Sequence, residues 1–156
     1  MIRPTPDELA AIGLVALTAA ELEWALVLAC VSAEGLSMTE AQKLAGPGGT
    51  KEALERLSRA TTGNLQRLAT DVEAALERRH DLMHSFASLA MDDEGERVEL
   101  FHPKTGTTRR ISVEEFEALS DELEALFGRA HRLGVAAARQ RHKAIADSLR
   151  TPDGPS

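Results

Sequence analysis

The chain has 156 residues, 18 basic and 25 acidic side chains, and a formal charge of −7, which argues against a protein that coats nucleic acid over its whole surface but leaves room for one local basic groove. Its length suffices for a single core without disulfide or metal staples. Aromatic residues make up only 3% and tyrosine is absent, so the core must be built from Leu, Ala and Val on helices, which points to an all-α fold.

The one cysteine, Cys30, cannot form an internal disulfide and falls in an apolar run, so a buried thiol in a reducing compartment is expected. One domain over 1–150 is expected, with a Pro/Gly tail at 151–156 that has no apolar anchor and reads as disordered. No internal repeat is present.

The first helix is expected over 6–33. Thr5, Pro6 and Glu8 form its start signal, with a capping hydroxyl, proline at the first helical position and glutamate three residues after the cap. Leu14, Leu17, Glu21, Trp24, Leu28 and Val31 follow helical spacing on one side, and Ile12, Val15, Ala19, Leu22, Leu26 and Ala29 on the other. A helix that is apolar nearly all round is covered on several faces, and in a chain this short a partner subunit is a natural source of the extra cover. Asp7 and Glu8 spoil a secretory leader, and Glu21 and Glu23 argue against a membrane span. A cytoplasmic protein with no membrane partner is therefore expected. Either Glu21 and Glu23 divide between water and a local pairing, or one of them holds an arginine or histidine of the cluster described below.

Ser37 and Glu40 repeat the capping-box spacing and predict a short helix over 37–45, ended by Gly46, Pro47, Gly48 and Gly49. That glycine run lacks the Lys and Ser/Thr placement of a phosphate-binding loop. Thr50 is expected to cap a third helix with Leu54, Leu57 and Ala60 as its buried line, and Thr61, Thr62 and Gly63 either break or kink it. A long helix then follows from Asn64 through Leu65, Leu68, Val72, Ala75 and Leu76 to about Met91. Asp92, Asp93, Glu94 and Gly95 read as a solvated acidic turn without the spacing of an EF-hand. Residues 97–102 and 107–111 alternate as a small β-hairpin around a turn at 103–106. Ser112 and Glu115 box the start of the last helix, expected over 113–149, with acidic residues in its first half and Arg129, Arg132, Arg139, Arg141, Lys143 and Arg150 in its second. That order complements the helix dipole, and the basic half could also line an approach for a phosphate backbone.

Chemistry is concentrated at one place, residues 76–86, where Arg78, Arg79, His80, Asp81 and His84 crowd onto about two turns of the long helix. His80 and His84 share a face, whereas Arg79 and His84 stand roughly 140° apart, a gap that a bent arginine stem can close onto one anion. Leu76, Met83 and Ala87 give the helix an apolar side, so the polar cluster sits beside a packed seam, where helical bundles build their sites. Metal-independent RNA cleavage requires a group that moves protons near neutral pH and a cation that stabilises a crowded anionic phosphorane. Arg79 and His84 supply one of each.

Arg-x-x-x-x-His with a polar residue directly after the arginine resembles the signature of the HEPN superfamily of helical nucleases. Arg79 matches the motif arginine, His84 the motif histidine, and His80 the polar position that is often asparagine. The likeness extends to a buried N-terminal helix with an internal glutamate, followed by a long helix bearing the motif. The resemblance implies a helical-bundle homodimer that cuts RNA at a cleft where two motifs meet, without metal or cofactor. On that reading His84 is general acid/base, Arg79 stabilises the transition state, and His80 and Glu23 are positioning groups. Many such proteins act as toxins or in phage defence, held in check by an antitoxin-type partner, and others are inactive modules that bind RNA or protein.

Two further readings use the same residues. His80, Asp81 and His84 spell His-Asp-x-x-His, which could chelate zinc with a third ligand from His102, His131, His142 or a glutamate of the first helix. Alternatively, the cluster is a salt-bridged surface with Glu77 and Asp81 as local partners.

Overall fold

The computed structural model describes residues 5–85, 89–90, 99–102, 107–110 and 112–150, with side chains described outside 84–111. The chain forms a predominantly helical bundle of five helices among the described residues: α1 (Pro6–Glu34), α2 (Met38–Leu44), α3 (Gly49–Ser58), α4 (Gly63–Ser85) and α5 (Val113–Arg150). The expected acidic turn at 92–95 and the tail at 151–156 lie outside the described residues.

Three helix starts are fixed by local chemistry. At α1 the Thr5 backbone N–H donates to the Glu8 carboxylate at 2.7 Å and the Glu8 N–H donates to Thr5 Oγ1 at 3.2 Å. Ser37 and Glu40 make the same reciprocal pair at α2, and Ser112 and Glu115 at α5. Each box satisfies two backbone donors that a helix start otherwise leaves open. The Glu40 carboxyl is held below the ordinary glutamate range, chiefly by the Ser37 backbone N–H and then by its hydroxyl.

The start of α3 departs from the expected pattern. Thr50 lies inside the helix, and the cap is Gly48, with φ 79° and no side-chain cap. A Cβ on Gly49 would stand 1.8 Å from the Leu44 carbonyl oxygen. The chain thus turns back against the end of α2 at a spacing only glycine permits, and the helix begins there. Thr61 and Thr62 fall outside helix, so α3 and α4 are separate elements rather than one kinked helix.

The long helix falls short of the end near Met91 that its periodicity suggests, its described residues running to Ser85. Leu89–Ala90 (β1) leaves the helical pattern to pair antiparallel with Glu99–His102 (β2), which pairs in turn with Thr107–Arg110 (β3); Leu89 stands opposite Leu100, and Phe101 opposite Thr108. Ladder hydrogen bonds here outweigh the helical preference of Leu and Ala. The turn expected at 103–106, the strand residues expected at 97–98 and Ile111 lie outside the described residues.

The chain divides into two compact units, residues 1–21 with 71–126 and residues 22–70 with 127–156, and α1, α4 and α5 each contribute to both. The first unit buries Ala11, Val15 and Ala19 of α1, Val72 and Ala75 of α4, and Phe116, Leu119 and Leu123 of α5. Its buried hydroxyls, Thr18 and Ser120, meet at 3.4 Å, and Thr18 also donates to the Leu14 carbonyl at 2.9 Å. The second unit buries Leu22, Leu26, Cys30, Leu44, Leu57, Leu68 and Ala130. Here α5 comes so close to α1 that a Cβ on Gly134 would stand 3.3 Å from the Ala29 Cα.

Two apolar surfaces remain open. On α1, Leu14, Leu17, Trp24 and Leu28 are each about half exposed, and Glu21 between them faces water while Glu23 is half-buried. By length and composition α1 is sufficient to cross a membrane despite Glu21 and Glu23, and half of its most apolar stretch is buried within the fold. On α5 the expected buried line stops short: Ile145 is 49% and Leu149 81% exposed.

Candidate functional site

The helix that carries the cluster, α4, is 23 residues long and buries Leu65, Leu68, Ala69, Val72 and Ala75. These positions recur at three- and four-residue steps, so one stripe faces the core and the remaining polar side chains are placed around it. Residues 78–81 lie on the last turns of this helix, in the first unit.

Arg78 is engaged. Its guanidinium donates to the Glu122 carboxylate of α5, and both side chains are about half exposed. Such a surface pair contributes about 0–1 kcal/mol and ties the motif turn to the facing helix. Arg79, one step further round the helix, is half-buried, and its Nε is closed off from solvent without a hydrogen-bond partner among the described residues. Leaving a buried donor unpaired costs about 1–3 kcal/mol.

His80 is exposed and Asp81 half-buried, and each has a partner within the fold. His84 falls inside α4, five residues and about 7.5 Å along the axis from Arg79, with its side chain outside the described residues. Glu23 is half-buried and belongs to the second unit. Among the described residues neither Glu21 nor Glu23 enters an ion pair. The structure therefore brings Arg78, Arg79, His80 and Asp81 onto one turn and gives Glu23 no described bond to an arginine or histidine.

Among the described residues no three His, Cys, Asp or Glu side chains are placed to hold one metal ion. Of the histidines considered as third ligands, His131 stacks on Phe127 with ring centroids 6.5 Å apart, and His131 and His142 are both exposed on the part of α5 in the second unit. The side chain of His102 lies outside the described residues.

The second unit holds a feature that the sequence pattern did not single out, an open cleft of about 1180 Å³ lined by α3, the second half of α5, the end of α1 and the start of α4. Arg56 stands in it, with its guanidinium donating to Glu34 at 2.7 Å and to Glu52 at 2.9 and 3.2 Å. Glu52 first, then Glu34, stabilise its charged form and raise its pKa, and the same contact lowers that of Glu52. Cys30 is buried beneath, its thiol donating to the Ala53 carbonyl at 3.4 Å. Burial above all, then the charge of Glu34, pushes that thiol up to about 12, so at neutral pH it is protonated and a poor nucleophile. The four-residue spacing of Glu52 and Arg56 was a readable signal; the 22-residue separation of Glu34 and Arg56 was not.

Compared with models of known families, with curated proteins and with solved structures, the chain finds no match.

Proposed function

We propose that the chain is a HEPN-like, metal-independent endoribonuclease that acts as a homodimer. The observation that carries this reading is the buried Nε of Arg79, unpaired among the described residues, on the residue that matches the motif arginine and late on the helix that bears the motif. An anionic phosphate oxygen is the acceptor that this donor lacks, and its charge stabilisation matters most when the phosphorane forms. His84 moves the proton from the attacking 2′-hydroxyl and returns one to the leaving oxygen. His80 orients the reacting groups. Arg78, already paired with Glu122, holds the turn in place and takes no part in the chemistry.

The exposed face of α1 supports the homodimer. Leu9, Leu14, Leu17, Trp24 and Leu28 together leave on the order of 500 Å² of apolar surface open, enough for the centre of an interface that buries about 800 Å² per partner. Pairing two copies supplies the second Arg79 and His84 that a composite cleft requires. As a toxin or phage-defence effector, such an enzyme would be restrained by an inhibitory partner protein.

The test is a pair of variants, Arg79→Ala and His84→Ala, measured for RNA cleavage and for helical content. Loss of cleavage with helical signal and unfolding midpoint retained is the expected result. Activity that disappears only in step with helical signal would assign the cluster a structural role. Cleavage unchanged in both variants would take the chemistry away from Arg79 and His84, and no cleavage by any of the three proteins would leave a non-catalytic interaction module of the same fold. Dialysis against a chelator separates the metal-binding alternative through His80 and His84, because the proposed reaction is unaffected by it.

A further inference from the structure

The cleft of the second unit has a floor of apolar side chains, among them the buried Leu57 and Leu65 and the half-buried Ala33, Ala60 and Ala137. The alanines, which end at Cβ, leave room for another chain to approach closely. On the α3 wall the exposed rim is Lys51, Glu55 and Arg59, at four-residue steps and in the order plus, minus, plus. None of the three enters an ion pair among the described residues. Arg56, by contrast, is already satisfied by Glu34 and Glu52. On the opposite side the Arg141 guanidinium packs over Gly35, so close that a Cβ there would meet it at 2.1 Å, which fixes the place of that cation at the cleft edge.

The size of the cleft exceeds the 300–1,000 Å³ usual for a single small molecule. A helix about 10–12 Å across would fill its 1180 Å³ over about two turns. Lys51 and Arg59 are eight residues apart, about 12 Å along α3, which is the same length.

We infer that this cleft is a docking groove for an amphipathic α-helix of a partner protein. The apolar face of that helix lies on this floor, and its polar edge sets acid, base, acid at four-residue steps against Lys51, Glu55 and Arg59. The charge order selects this occupant. Two copies of the α3 rim paired in full register would place Lys51 against Arg59 or Lys51 and Glu55 against Glu55, so that pairing is repelled. A nucleic-acid backbone is anionic throughout and would meet Glu55 on the rim and Glu34 and Glu52 within the cleft, with no aromatic side chain among the lining residues to stack a base. A partner helix with alternating charge meets neither obstacle. Because the order reads the same from either end, it leaves the partner's direction free. This inference does not rest on the ribonuclease reading, whose Arg79 and His84 lie in the other unit.

The experiment is selection from a displayed library of helical peptides with a fixed Ala/Leu face and three randomised positions at four-residue steps, followed by fluorescence polarisation on the full chain. Enrichment of Asp or Glu at the outer positions and Lys or Arg at the middle one is expected. Affinity is expected to fall at least roughly tenfold in Ala137→Trp, which fills the floor, and to weaken with salt. The exposed double variant Lys51→Glu/Arg59→Glu tests the rim without touching the core. Checked for unchanged helical content, it is expected to reverse the charge order selected. Enrichment of no charge order, or peptides that bind wild type and both variants equally, would overturn the inference. A labelled single-stranded RNA that binds wild type but not the rim variant, with no peptide selected, would overturn it in favour of a phosphate ligand.

Discussion

Arg78 and Arg79 are neighbours in the chain, yet one step around α4 turns Arg78 to the Glu122 carboxylate and leaves the Arg79 Nε buried without an acceptor among the described residues. The two therefore respond differently to the same substitution. Arg79→Met keeps an unbranched stem and removes the orphan donor, so the unfolding midpoint is expected to hold or rise while RNA cleavage falls by roughly two to three orders of magnitude. Arg78→Met loses only a half-exposed ion pair, with a stability change within about 1 kcal/mol and cleavage retained. Thermal melts beside cleavage rates check both. Cys30 supplies a pH dependence. In the unfolded chain its thiol ionises near 8.5, whereas in the fold it is pushed up to about 12. Between those values the unfolded state releases a proton that the folded state keeps, so stability is fully present below about pH 8.5 and declines as pH rises, by up to about 1.4 kcal/mol per pH unit. Denaturant melts from pH 8 to 10 are expected to show this slope in the wild type and to lose it in Cys30→Ala. The burial of Cys30 was legible from its apolar run. The orphaned Arg79 Nε was not, because the solvation of one atom depends on everything packed around it.

At the scale of elements, what could be read from the sequence was what local chemistry decides. Thr5 with Glu8, Ser37 with Glu40 and Ser112 with Glu115 set three helix starts, because a capping box involves only residues three apart. The misread boundaries lie where distant backbone intervenes: Thr50 yields to Gly48 because Gly49 must pass the Leu44 carbonyl, and α4 falls short of Met91 because Leu89–Ala90 pairs as a strand. Two glycine substitutions test this distinction. Gly49→Ala drives a methyl to 1.8 Å from a backbone oxygen and is expected to cost roughly 2–4 kcal/mol. Gly128→Ala lies inside α5, where the nearest atom, at 3.3 Å, is the flexible end of Arg132, and is expected to gain up to about 1 kcal/mol. Urea melts of the two variants beside the wild type should move in opposite directions.

At the scale of the whole molecule, the all-round apolar character of α1 was legible in its sequence, and it resolves into a buried face and an open one. Val15, Leu22 and Leu26 fill the core, while Leu14, Leu17, Trp24 and Leu28 are left uncovered. The proposed homodimer closes over this second face. Leu17→Asp is expected to shift the mass in solution from two chains to one by light scattering and to abolish cleavage with it. The emission of Trp24, the only tryptophan, is expected to move to longer wavelength as that variant exposes it. A variant that stays dimeric would place the interface elsewhere. The cleft of the second unit escaped the sequence reading because α1, α3, α4 and α5 all contribute to it. The alanines of α5 and the charge steps of α3 carry no meaning until they face each other.

The central claim is that this chain cuts RNA without metal through Arg79 and His84. The most direct test is to incubate the purified protein with a mixed cellular RNA pool in excess chelator, beside Arg79→Ala and His84→Ala, and to examine the fragment ends. Fragments ending in 2′,3′-cyclic phosphate from the wild type alone are the expected result. Fragments from all three proteins, cleavage that chelator abolishes, or no cleavage by any of them would contradict the claim.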